Sequence, residues 1–218
     1  MGRPKHVQAV LFDMDGTVID SEPIKNAHLE QLIRANGGII EDHELDYLSG
    51  ADLPTLLSAM RMVLHRGGVE IDPLDILRND TYGRERPYLE PGCTPFEGAV
   101  DFIKALRGHG ILCALVSSTP TYAVLTALNR FSMTSLFDAI VCGDMIAVHK
   151  PDPEAYLTTM RILGVDPSDC IVVEDSTSGV AAGIAAGAYV IARDDGSGTH
   201  DLSSADERFS SFADLRFW

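Results

Sequence analysis

Positive charge is scarce in this chain. Seventeen lysines and arginines stand against 32 aspartates and glutamates over 218 residues, a formal net charge of -15. Nucleic acid and anionic membrane surfaces require basic patches, and no lysine or arginine cluster is present, so neither is expected as a partner. Cysteine pairs are also missing. Cys93, Cys113, Cys142 and Cys170 are widely spaced with no C-x-x-C among them, which predicts reduced core thiols and not a disulfide framework. The seven histidines show no H-x-x-x-H spacing and are assigned to surface or capping roles. No nucleotide loop of the G-x-x-x-x-G-K-[ST] or G-x-G-x-x-G type occurs, and "GSGTH" (196–200) matches neither. No run reaches the roughly 18 apolar residues of a membrane span. The opening "MGRPKHVQAVLF" places basic residues before apolar ones, yet it stops at Asp13 without a small-residue cleavage site, so a cytoplasmic location is expected. Internal repeats and low-complexity tracts are absent as well.

What is present is a globular composition. At 45% hydrophobic the chain can bury one substantial core, or a core carrying a smaller insertion. Five short apolar runs read as buried strands: "VQAVLF" (7–12), "LCALV" (112–116), "DAIVC" (138–142), "CIVV" (170–173) and "AYVIA" (188–192). Helical patterns fall between the later ones, in "FEGAVDFIKALRGHG" and "EAYLTTMRILG". Strands apolar at every position and alternating with helices predict an α/β fold, a parallel sheet covered on both faces. The first strand breaks the rhythm. Residues 21–90 read as several helices ("PIKNAHLEQLIRANGG", "LPTLLSAMRMVLHRGG" and "PLDILRNDTYGRER") without a convincing strand, too long for a connection, and predict an inserted helical domain between core segments 1–20 and 91–218. "YLEPGCTP" reads as the return linker, and "RDDGSGTHDLSSADE" as a polar loop before a short final segment. Gly179, Gly183 and Gly187 recur every fourth residue and predict a bare helix face packed closely on the sheet.

Ligands of open parallel sheets bind beyond the carboxyl ends of the strands, so the residues directly after each run carry the interest. These are Asp13 and Asp15, then Ser117 and Ser118, then Lys150, then Glu174 and Asp175. Two carboxylates about 4 Å apart repel by roughly 4 kcal/mol at an effective dielectric near 20. One lysine cannot offset several of them. A divalent cation with hard oxygen ligands can, and Mg²⁺ suits a few carboxylates that leave positions open for water and phosphate. Each residue also has a plainer reading. Asp13 and Asp15 do not continue into a calcium loop, because Thr17 and Val18 stand where its third ligand and glycine belong. Asp15 can cap a turn, Lys150 can be a solvated lysine, Ser117 and Ser118 can cap the helix starting near Pro120, and Glu174 with Asp175 can be a helix N-terminal charge pair.

Together, Asp13-Met14-Asp15-Gly16-Thr17, Ser117, Lys150 and Glu174-Asp175 resemble the four ordered motifs of the haloacid dehalogenase superfamily. The helical insert after the first motif resembles its helical-cap subclass, the small-metabolite phosphatases and β-phosphoglucomutase. The resemblance covers nearly the whole chain, with "VEDSTSGVAAGIAAGAYVI" among its most specific parts. It implies a Rossmann-like core with an inserted α-helical cap, and an aspartyl-phosphate mechanism. Asp13 is implied as nucleophile and Asp15 as acid and then base. Mg²⁺ is implied on Asp13, the backbone carbonyl of Asp15 and Asp175, with Glu174 ligating directly or through water. Ser117 and Lys150 are implied to hold the phosphoryl group, assisted by backbone N–H groups near Met14 and Ser118. Gly16 would let the chain turn away tightly beneath the substrate.

The presence of Asp15 speaks against a dehalogenase. Lys25 as the only lysine of the insert speaks against a phosphonatase. The cap groups a mutase uses to exclude water are not matched by Ser21, Lys25 and Leu53, which favours hydrolysis over a phosphosugar mutase. A non-catalytic binding protein on the same scaffold is the third reading. The expected partner is a small phosphorylated metabolite, such as a sugar phosphate, and the expected state a monomer or weak homodimer. Substrate choice is expected on the cap and linker, at Glu22, Lys25, Asn26, Gly50, Ala51 and Asp52.

Overall fold

The computed structural model describes residues 2–41, 44, 53–80, 83 and 85–215. The chain enters through β1 (Ala9–Phe12), passes a short antiparallel pair formed by β2 (Ile19–Asp20) and β3 (Thr94–Pro95), and continues through β4 (Leu112–Val116) and β5 (Ala139–Val141). It ends in β6 (Cys170–Glu174), β7 (Tyr189–Arg193) and β8 (Glu207–Phe209). Apart from the β2–β3 pair, the strands form one parallel sheet in the order β5-β4-β1-β6-β7-β8. Counting only its members in chain order, this is the 3-2-1-4-5-6 arrangement of a doubly wound sheet, whose direction of winding reverses between β1 and β6. The crevice above that reversal is the expected ligand site.

Strand β1 is buried at every position because both faces are covered. Val10 and Phe12 point into one apolar layer, with Ile103 and Leu106 of α4 (Ala99–Gly108) and Val124 and Leu128 of α5 (Thr121–Arg130). Among the described residues the insert holds the helices α1 (Glu22–Ala35), α2 (Leu53–Arg66) and α3 (Pro73–Arg78). Ala9 and Leu11 point into the opposite layer, with Tyr156 and Met160 of α6 (Glu154–Leu163) and Val180 and Ala182 of α7 (Thr177–Ala185). Gly164 ends α6 in the left-handed conformation, at φ 69°. The insert buries a third cluster of its own, built from Ile33 of α1, Met60 and Leu64 of α2 and Ile76 of α3.

Four sequence expectations are corrected here. The sheet has six strands and not five, because the end of the supposed polar loop and the residues after it form β8. That strand is three residues long, pairs on one side only and includes the exposed Arg208, so no apolar run announces it. The β2–β3 pair was equally silent, at two residues each. The third insert helix stops at Arg78, where Asn79 donates backbone and side-chain N–H groups to the Asp75 carbonyl at 3.0 and 2.8 Å. The glycines every fourth residue are not one packing stripe. Gly183 meets apolar side chains of the sheet, where an added Cβ would lie 2.9 Å from Val190 and 3.1 Å from Val172. Gly179 makes room for a carboxylate instead, and Gly187 lies beyond the helix at φ 84°.

Filling the gap at Gly183 forces α7 away from β6 and β7. Gly183→Val is expected to destabilise the protein by about 1–3 kcal/mol through overpacking, measured as a lower urea midpoint at unchanged slope.

Candidate active site

The ladder of β1 runs one residue beyond the strand, since the Asp13 N–H donates to the Val173 carbonyl at 2.9 Å. The chain then turns sharply. Val18 and Ile19 both donate to the Met14 carbonyl, at 2.9 and 2.8 Å, and Gly16 takes φ 76°. Met14 is fully buried and anchors the turn. Alternation about that anchor leaves Asp13 and Asp15 on the crevice side.

Three carboxylates meet there: oxygens of Asp13, Glu174 and Asp175 all lie within 4.8 Å of one another. Lys150 bridges two of them, with Nζ 2.5 Å from Asp13 Oδ1 and 2.6 Å from Glu174 Oε1, and donates to the Val116 carbonyl at 3.2 Å. Glu174 is fully buried and fully engaged. Tyr156 donates to its Oε1 at 2.8 Å, while Oε2 accepts from the Asp175 and Ser176 N–H groups and the Ser176 hydroxyl. Asp175 has less support, a hydrogen bond from Thr17 Oγ1 at 2.9 Å. Two glycines leave space for these groups. A Cβ on Gly179 would fall 1.8 Å from Glu174 Oε1, and one on Gly16 would fall 2.0 Å from Asp175 Oδ2.

The electrostatics are uneven. Burial pushes the Asp13 carboxyl up to about 7 against the pull of Lys150, with Glu174 and Asp15 adding to the rise. Burial and the charges of Glu174 and Asp13 also raise Asp175 well above the usual carboxylate range. Burial works the same way on Glu174, but Lys150, Tyr156 and the Ser176 N–H outweigh it and hold that group below its ordinary value. Lys150 stays cationic because Asp13 and Glu174 overcome its burial and raise it well above an ordinary lysine. Ionised together, Asp13 and Asp175 would carry more negative charge than the protein offsets by itself. A hard oxygen donor set of this kind could hold a divalent cation, whose charge would supply the compensation.

Asp15 lies outside this cluster. Its carboxylate accepts from Ser21 at 2.6 Å, Tyr88 at 2.8 and 3.0 Å and Thr119 at 2.8 Å, and Lys25 Nζ lies 2.8 Å away. Burial acts to raise its pKa, but Lys25, Ser21 and Tyr88 outweigh burial and lower it. Ser21, Lys25 and Tyr88 come from the ends of the insert, whereas Thr119 follows β4. Arg130 of α5 donates to the carbonyls of Tyr88 and Glu90, tying the second end of the insert to the core.

Ser117 is buried at the end of β4, and its hydroxyl accepts from the Thr119 N–H at 3.0 Å. Ser118 is exposed beside it. Neither caps α5: Pro120 holds that position without a side-chain bond, and Asp144 accepts from the Thr121 N–H at 2.9 Å. Glu22 lies 3.2 Å from Lys25, and Asn26 borders a cavity next to Asp175. Lys25, expected among the substrate-selecting groups, contacts Asp15. Gly50, Ala51 and Asp52 lie outside the described residues. Sequence reading gave Thr17 no role and missed Tyr88, Thr119 and Tyr156. Thr17 lies within a recognised motif and Thr119 beside one, but nothing local marks Tyr88 or Tyr156.

The comparisons with known proteins agree with this geometry. The chain is 29% identical over 185 residues to a phosphorylated carbohydrates phosphatase of Thermotoga maritima, covering 83% of this chain and 82% of that one. Among solved structures, CbbY from Rhodobacter sphaeroides in complex with phosphate superposes with a TM-score of 0.77 at 26% identity, covering 96% of both chains. A predicted phosphoglycolate phosphatase from Haemophilus somnus shares the fold with a TM-score of 0.83 at 20% identity, covering 95% of this chain and 96% of that one. The model of the haloacid dehalogenase-like hydrolase family matches residues 10–193, and the chain belongs to that family.

Proposed function

We propose that this protein is a Mg²⁺-dependent phosphatase of small phosphorylated metabolites, working through an aspartyl phosphate. The observation that carries the reading is the meeting of Asp13, Glu174 and Asp175 around Lys150, beside a separately held Asp15. In the first step Asp13 Oδ attacks phosphorus, the ester P–O bond breaks, and Asp15 delivers its proton to the departing alkoxide. In the second, Asp15 takes a proton from water, whose oxygen attacks the same phosphorus. Phosphate departs, and Asp13 returns as a carboxylate. Lys150 and Ser117 bind phosphoryl oxygens, and backbone N–H groups near Met14 and Ser118 assist. Asp13, Asp175 and the Asp15 carbonyl would hold Mg²⁺, with Glu174 direct or through water. Once bound, the ion offsets charge as one anion approaches another.

Residues 1–20 and 91–218 form the catalytic core in this reading, and residues 21–90 a cap that closes over the substrate. Contacts of Ser21, Lys25 and Tyr88 with Asp15 support it, since the ends of the insert then govern the group that handles protons. The relative acting on phosphorylated carbohydrates supports a sugar phosphate as substrate.

Asp13→Asn is expected to reduce phosphate release from p-nitrophenyl phosphate to background, as is EDTA, with activity returning on added Mg²⁺. Full turnover in either case sinks the proposal. If instead a bisphosphate primes interconversion of sugar phosphates while free phosphate stays flat, the protein is a mutase. Asp15→Asn is expected to lower kcat by about 10²- to 10⁴-fold, the usual range for a general acid–base. Lys25 lowers the pKa of Asp15, while alkoxide departure needs that group protonated. Lys25→Met is therefore expected to move the alkaline limb of kcat/KM to higher pH, and an unmoved limb would separate Lys25 from the proton transfer.

A further inference from the structure

Tyr88 belongs to a short turn where the insert returns to the core (Arg86–Leu89), and it is fully buried although Leu89 beside it is exposed. Its hydroxyl lies 2.8 Å from Asp15 Oδ1 and 3.0 Å from Oδ2. A hydroxyl shared between both oxygens restrains rotation of the carboxylate about its Cβ–Cγ bond, which a bond to one oxygen restrains less. Two neighbours fix the hydroxyl and the ring in turn. Thr119 Oγ1, which donates to Asp15 Oδ2, lies 3.4 Å from the Tyr88 oxygen, and Lys25 Nζ stands 5.7 Å from the centre of the ring.

Tyr88 is also held from outside the site. Arg130, the last residue of α5, is exposed, yet its guanidinium donates to the Tyr88 carbonyl and, at 2.8 Å, to the Glu90 carbonyl. The backbone on both sides of Leu89 is thereby tied to the core. A turn of this length has little rigidity of its own, so the anchor sets where the phenol reaches. Placement of a reacting group matters steeply, since an error of about 1 Å can cost on the order of 10²-fold in rate.

We infer that Tyr88 is a positioning residue for the acid–base Asp15, and that Arg130 acts through Tyr88 from the exposed end of α5. The inference rests on the phosphatase reading. It assigns the pair to protonation of the leaving oxygen by Asp15 and not to attack by Asp13.

Phenyl phosphate and p-nitrophenyl phosphate test this, compared by kcat/KM with the full chain at saturating Mg²⁺. Phenolate is the stronger base and needs the proton more, whereas p-nitrophenolate departs largely without it. The ratio of the two constants, phenyl over p-nitrophenyl, is expected to fall about tenfold in Tyr88→Phe, in the same direction as in Asp15→Asn. Arg130→Met should lower the ratio less, Arg130→Lys should recover part of that loss, and adding Arg130→Met to Tyr88→Phe should lower it no further. Lost stability alone depresses both constants together and leaves the ratio in place. A ratio unchanged in Tyr88→Phe, where Asp15→Asn lowers it, overturns the positioning role and leaves the phosphatase standing. A ratio unchanged in Arg130→Met, or a further fall in the double variant, overturns the part given to Arg130. A ratio unmoved by Asp15→Asn removes the acid assignment on which both depend, and no phosphate from either ester in the unaltered protein removes the phosphatase itself.

Discussion

Like charges forced together at the end of a parallel sheet are the constraint from which the rest of this structure follows. Asp13 and Asp175 leave adjacent strands, β1 and β6, and the register that pairs Phe12 with Val173 brings them to one crevice. Their repulsion opposes folding, and the surrounding residues contain it. Lys150 reaches in from the loop before α6, Gly16 and Gly179 omit side chains, and Ser176, which caps α7, donates its N–H and hydroxyl to Glu174. The compensation is incomplete by design of the donor set. A site that neutralised every carboxylate would leave none to attract a metal ion.

Asp15 shows the opposite balance. Four side chains saturate it, and three of them lie at the two ends of the insert. One aspartate of the pair is left short of partners beside a lysine it shares, and the other is surrounded by donors. The two neighbouring carboxyls are thereby pushed apart in proton affinity, Asp13 upward and Asp15 downward.

The central strands could be read from the chain because they are buried on both faces. β1, β4, β6 and β7 appear as unbroken apolar runs, and the residues after them could be named in advance for the same reason. β2, β3 and β8 could not, being two or three residues long and at edges where polar side chains are tolerated. The donors around Asp15 divide likewise. Ser21 is six residues away, but Tyr88 and Thr119 are 73 and 104 residues away, and their contacts exist only once the insert has returned to the sheet. Lys25 had a local signal in its place within the insert, but its contact with Asp15 was not among the roles read from the chain.

The insert buries an apolar cluster around Ile33, Met60 and Leu64 apart from the sheet's own layers, while Ile24 and Tyr88 at its two ends pack into the layer of Phe12. Residues of the outer cluster can therefore change without touching Asp15, but Ser21, Lys25 and Tyr88 cannot, so tolerance to substitution should fall steeply from the middle of the insert to its ends.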